Sequence, residues 1–86
     1  MQIEYLPKFA RQYKKLPRAI QQNAERAEKI FRADPFDSRL KTHKLSGPLR
    51  DFYAFSVTHT HRIIFDFGTD TKMVRFYSIG THDIYE

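Results

Sequence analysis

The sequence predicts an α+β fold of order β-α-α-β-β-β, with a helical hairpin packed on one face of a small, mainly antiparallel sheet. Three observations predict it. Two stretches between residues 7 and 33 carry apolar residues at helical spacing. Three runs between residues 49 and 79 are rich in aromatic and β-branched residues. The connections between those runs are short, which favours antiparallel neighbours and hence a meander.

Taken in order, residues 1–6 alternate with Ile3 and Tyr5 on one side and read as a short strand; Pro7 then suits the first turn of a helix. Phe9, Tyr13 and Leu16 recur at helical spacing, with Arg11, Lys14 and Lys15 pointing elsewhere, until Pro17 interrupts the backbone hydrogen bonds. Pro17 also suits the start of a second helix, whose stripe is Ile20, Ala24, Ala27 and Phe31 with Ile30 beside it. That helix is expected to end near Ala33-Asp34, because the residue before Pro35 is pushed out of the α region. Residues 34–48 contain two prolines and a glycine and read as a loop. The three runs follow at about 49–57, 60–67 and 72–79, with turns at Thr58-His59 and Gly68-Thr69-Asp70-Thr71. Two amphipathic helices cover one face of the sheet, leaving the opposite face for a ligand.

Composition narrows the function classes. A chain of 86 residues makes one domain, residues 1–86, because a second core could not be built beside the first. Eight Phe and five Tyr make a sizeable core attainable without staples. The absence of cysteine excludes disulfides, thiolate metal sites and cysteine nucleophiles, and fits a reducing, cytoplasmic setting. No apolar run has the length of a membrane span, and the start of the chain lacks the apolar core of a signal peptide, so a soluble protein with no membrane partner is expected. The net charge is +5, with eleven basic and five acidic side chains in residues 1–44 against four and five in residues 45–86. That asymmetry suits a polyanionic or acidic partner, and it suits solvated helix faces equally.

The residues able to carry chemistry fall outside the helical stripes: His43, His59, His61 and His82, with Lys44, Arg50, Arg62, Arg75 and Tyr85. Metal-free RNA cleavage needs a group to take the 2′-hydroxyl proton, a cation to stabilise the pentavalent phosphate, and a group to protonate the leaving 5′-oxygen. Imidazole and guanidinium supply all three. His43, in the loop feeding the meander, is the candidate base or a loop histidine bonded to backbone. Arg62 alternates with Ile64 and Asp66, so it either holds a phosphate through two donors or pairs with Asp66 or another carboxylate. His82 follows Gly80 and is the candidate acid; Tyr85 either stacks on a base, orients a phosphate, or ties down the tail. His59 and His61, at alternate positions, present either a metal pair or two phosphate contacts, and the second is favoured because no cysteine is present and only Asp83 stands near the fourth histidine. Neither a metal nor a cofactor is expected. There is no Gly-rich phosphate loop, no acidic two-metal cluster and no G-x-S-x-G nucleophile motif.

Four segments, His43-Lys44-Leu45-Ser46-Gly47, Tyr53 to Val57, His61-Arg62-Ile63-Ile64-Phe65 and Ile79-Gly80-Thr81-His82-Asp83-Ile84-Tyr85, together resemble the RelE/ParE superfamily of bacterial toxins, on the RelE, YoeB and YafQ side. The resemblance spans nearly the whole chain and rests on the order and spacing of the segments. It implies the toxin of a type II toxin–antitoxin module: a ribosome-dependent endoribonuclease, or mRNA interferase, that inhibits translation by metal-independent attack of a 2′-hydroxyl on the adjacent phosphate. By position, His43 takes the place of the base, Arg62 that of the arginine on the scissile phosphate, His82 that of the acid or charge stabiliser, and Tyr85 that of the C-terminal tyrosine of RelE. Lys44 matches a RelE lysine, and Arg50, His59, His61 and Arg75 complete the candidate RNA contacts. Ser46 stands where RelE-like members often carry a basic residue, and histidines at 43 and 82 lean instead toward YoeB and YafQ. The partners implied are messenger RNA, the ribosome and a cognate antitoxin that wraps the toxin in a hetero-oligomer. The competing reading within the same superfamily is a ParE-like, non-catalytic poison of DNA gyrase; a binding module without catalysis is a third.

Overall fold

A computed structural model describes residues 1–68 and 72–85. Strand β1 (Gln2–Tyr5) leads into helix α1 (Pro7–Lys14) and helix α2 (Arg18–Ala33). A two-residue strand β2 (His43–Lys44) follows, then β3 (Tyr53–Ser56), β4 (Arg62–Asp66) and β5 (Met73–Gly80). Short 3-10 turns occupy Ser38–Leu40, Gly47–Leu49 and His82–Tyr85. The sheet order is β1-β5-β4-β3-β2, antiparallel except where β1 runs parallel to β5. This is the expected α+β architecture with one strand more than the sequence predicted. Among the described residues no helix is long and apolar enough to cross a membrane.

Both helices form where expected. Pro7 opens α1, Phe9 is buried, and Tyr13 and Leu16 pack on the core. In α2 the buried residues are Ala24, Ala27 and Phe31, and the helix stops at Ala33 ahead of Pro35. Small alanines let α2 approach the sheet closely, while Phe31, fully buried, meets the rings of Phe55, Phe65 and Phe76 at centroid distances of 4.7, 4.9 and 5.5 Å. Burying one such ring contributes about 1.5–3 kcal/mol relative to leaving it exposed, so this four-ring cluster fixes the helical hairpin on the sheet.

Two sequence expectations need correction. The run 49–57 becomes strand only at Tyr53, because Pro48 sits in the 3-10 turn Gly47–Leu49 and Gly47 takes φ +64°. Likewise the run 60–67 begins as strand at Arg62; Val57 and Thr58 both donate to the His61 carbonyl, closing the hairpin through residues 58–61. His59 and His61 therefore lie in a turn, and the argument from strand alternation does not apply to them. Of the turn expected at Gly68-Thr69-Asp70-Thr71, the last three residues lie outside the described residues.

The register of β4 on β5 shifts between Ile64 and Phe65: Ile64 pairs with Ser78 but Phe65 pairs with Phe76, leaving Tyr77 as the extra residue of a bulge. The bulge explains why Val74 and Phe76 point to the helices and so does Ile79, an odd step from Phe76. It also decides what stands opposite what on the other face, where Arg62 pairs with Gly80 and Asp66 with Arg75. That face is not bare. Ala54, Ile64 and Ser78 are buried there although none belongs to the helix-side core. Residues from the segment 49–52 and from the His82–Tyr85 turn rise around them, leaving two separate depressions.

Candidate active site

The first depression, about 570 Å³, is lined by His43, His59, Thr60, Arg62, Thr81, His82 and Tyr85. All four residues picked from the sequence as catalytic thus reach one concavity, although they come from β2, β4 and the last 3-10 turn. The lining holds one guanidinium, three imidazoles and no carboxylate, a set that can receive an anion.

His43 is positioned by the loop before it. Asp37 accepts hydrogen bonds from the backbone N–H of Arg39 at 2.9 Å and from the Arg39 guanidinium at 3.0 and 2.9 Å. These bonds, the guanidinium first, hold the Asp37 carboxyl down at about 2. Leu40 is buried beneath that turn, and Lys41 adopts φ 53°, ψ 38°, a left-handed conformation that costs a non-glycine residue about 1–2 kcal/mol. The reversal leaves the Lys41 carbonyl 3.0 Å from Nδ1 of His43. A carbonyl only accepts, so Nδ1 carries the proton and the neutral ring presents its lone pair at Nε2. An exposed imidazole whose Nε2 has no partner among the described residues is the form a general base requires.

Arg62 is half-buried at the start of β4. Its Nη1 donates to the carbonyls of Thr58 at 2.7 Å and His61 at 3.1 Å. Nε and Nη2 have no protein acceptor among the described residues, which leaves two parallel donors for a phosphate. The pairing with Asp66 weighed from the sequence does not form, because Gly80 is the residue opposite Arg62 and Asp66 is taken. Arg75 donates to both Asp66 oxygens at 3.0 and 2.9 Å, and the Tyr77 hydroxyl adds a third bond at 3.1 Å. Burial first, then the bond to Asp66, raises the Tyr77 phenol above its usual value.

His82 is exposed in the last 3-10 turn; Tyr85 is half-buried in it. Gly80 allows this turn to fold back on β5, since a Cβ there would sit 2.6 Å from Cγ2 of Ile84. Thr81 donates its hydroxyl to Asp83. That bond, then the Asp83 backbone N–H, lowers the Asp83 carboxyl.

The remaining sequence-predicted contacts divide. His59 lines the depression; His61 does not, and its Nδ1 lies 3.3 and 3.0 Å from the hydroxyls of Thr58 and Thr60. Lys44 and Arg75 belong to another concavity, with Asp51 and Asp66, and Arg50 is exposed outside the first depression. Arg75, ion-paired on the same face, is therefore not part of the cationic set. Thr60 and Thr81 were not singled out in the sequence, where nothing distinguishes them from turn-forming threonines. Among the described residues no three His, Asp or Glu side chains are grouped so as to hold a metal ion.

No family model matches the chain, and neither does any curated protein sequence. Solved structures do match. The YoeB/ParE toxin from Agrobacterium tumefaciens superposes with a TM-score of 0.80 at 13% identity, covering 95% of this chain and 99% of that one. YafQ from E. coli strain BL21(DE3) superposes at 0.79 and 17% identity, covering 98% and 96%. The chain has the fold of these toxins. A third structure, the heterotetrameric YoeB-YefM toxin-antitoxin complex from Staphylococcus aureus, gives 0.72 at 18% identity, covering 91% and 92%. The RelE-like toxin fold expected from the sequence is thus met over nearly its full length.

Proposed function

We propose that the protein is the toxin of a type II toxin–antitoxin module and acts in the cytoplasm as a metal-independent endoribonuclease, cutting messenger RNA on the ribosome. The observation that carries this reading is the meeting of His43, Arg62, His82 and Tyr85 in one depression whose lining has no carboxylate, with Nε2 of His43 and two Arg62 donors unengaged among the described residues. In the proposed reaction Nε2 of His43 takes the proton of a 2′-hydroxyl, whose oxygen attacks the adjacent phosphorus. Arg62 stabilises the added negative charge through Nε and Nη2. His82, protonated, gives its proton to the 5′-oxygen as the P–O bond breaks, leaving a 2′,3′-cyclic phosphate and a 5′-hydroxyl. Tyr85 orients the phosphate or stacks on a neighbouring base, and His59 adds positive charge at the rim. The fold shared with a toxin solved in a toxin–antitoxin complex supports an antitoxin as partner, and the basic first half of the chain suits an acidic one.

Expression of the wild type is expected to arrest growth and fragment messages, with purified protein cutting RNA on translating ribosomes. Arg62→Ala and His82→Ala should fold and lose both effects. Undiminished toxicity in both variants would sink the assignment, and collapse of DNA supercoiling with messages intact would transfer it to a gyrase poison.

A further inference from the structure

The second depression on the same sheet face, about 380 Å³, is used by none of the chemistry above. Its floor is Ile64 and Ser78, register partners that are both 4% exposed. Phe52 and Tyr77, whose rings meet each other edge to face at 4.7 Å and 86°, line it together with Leu49 and Ile84. The lining is apolar apart from Ser78, Tyr77 and Lys8, an exposed ammonium on the α1 side.

Its relation to the first depression identifies what fits. Ile64 lies two residues beyond Arg62 on β4, on the same face, and strand geometry puts two such residues about 6.6–6.8 Å apart. That is one nucleotide's stride along an extended single strand. The 3-10 turn His82–Tyr85 serves both concavities, turning His82 and Tyr85 to the first and Ile84 to the second. An apolar slot with two aromatic rings, a hydroxyl and an ammonium in its lining, beside the depression that holds Arg62, matches a base that neighbours a bound phosphate.

We propose that this slot receives the nucleobase of a nucleotide flanking the phosphate held by Arg62, stacked on the face of one of the two perpendicular rings, Phe52 or Tyr77, and against the edge of the other, with the Ser78 hydroxyl meeting the edge of the base. The inference rests on the nuclease reading for the phosphate at Arg62, and it assigns sequence preference to Phe52, Tyr77 and Ser78, away from the reacting groups.

The test uses 2′-O-methyl RNA trinucleotides, which lack the attacking hydroxyl, and compares each with versions abasic at one position. Removing the base at one flanking position should weaken binding to the full-length protein about tenfold. Leu49→Trp, filling the slot with an indole, and Phe52→Leu, removing the ring while keeping bulk, should each abolish that difference without changing the salt dependence of binding. Far-UV circular dichroism checks that both variants fold. Binding indifferent to base removal at every position, a tenfold difference that survives in both variants, or no trinucleotide binding at all would overturn the slot. Base-dependent binding in a protein that cuts no message would instead overturn the nuclease reading and leave the slot standing.

Discussion

Gly80 and Ile84 approach so closely that a single methyl group at position 80 would lie 2.6 Å from Cγ2 of Ile84. The contact brings the end of β5 against the turn that carries His82 and Tyr85, so a glycine is needed there for space. Gly80→Ala is expected to lower stability by about 1–3 kcal/mol, the usual range for overpacking, and to displace His82 and Tyr85. Ile84→Ala added to Gly80→Ala should recover much of both losses by removing the clashing methyl. Chemical denaturation and an RNA-cleavage assay on the single and double variants check this; additive losses would show that the two side chains do not compete for one space.

The tautomer of His43 is a second point that can be measured. Its Nδ1 donates to the Lys41 carbonyl at 3.0 Å, so the neutral ring should carry its hydrogen on Nδ1 and leave Nε2 bare. Long-range proton–nitrogen NMR at alkaline pH reads this directly, and a ring protonated on Nε2 would remove His43 as the base. His43→Gln should lower the cleavage rate by about 10²–10⁴, the range for loss of a general base, with little change in RNA affinity.

The helices were legible because Phe9 and Tyr13, then Ala24, Ala27 and Phe31, keep helical spacing, although Leu16 falls just beyond the end of α1 and Ile20 is only half-buried. The candidate site was legible in residue type but not in grouping. Arg62 and Arg75 look alike in the sequence, and the bulge at Tyr77 separates them. Without it Asp66 would face Phe76; with it Asp66 faces Arg75 and is neutralised, while Arg62 faces a glycine. The signal was present in the broken alternation Val74, Phe76, Ile79, which no unbulged strand can bury on one side. Strand β2 left no such trace: two residues, set between the left-handed Lys41 and Gly47, are too short for any period to appear.

Tyr77 supplies a pH dependence of defined sign. Burial, followed by its bond to Asp66 and the charge of Asp66, raises its phenol above the value of about 10 expected in the unfolded chain. The stabilisation is therefore complete below that value and is lost as pH rises through the folded value. Asp66→Asn should bring Tyr77 back toward its ordinary range, seen as an earlier phenolate absorbance step, and should shift the onset of alkaline destabilisation the same way. An unchanged titration of Tyr77 in that variant would mean that burial alone raises it.

Gln12 joins α1 to the strand that ends at the site. Strand β1 pairs with β5 only over Met73 to Phe76, and three residues further along the backbone N–H of Ile79 donates to the Gln12 side chain at 2.9 Å. Ile79 is 1% exposed, so without that oxygen its N–H would be left with no acceptor in a dry environment. Gln12→Ala should cost about 1–3 kcal/mol, the penalty for an orphaned buried donor. Gln12→Glu keeps the acceptor and should cost less. Denaturant midpoints rank the variants, and hydrogen exchange at Ile79 discriminates the cause: its amide should lose protection in Gln12→Ala while the amides of α2 keep theirs. Equal midpoints for Ala and Glu would assign the role of Gln12 to packing of its methylenes.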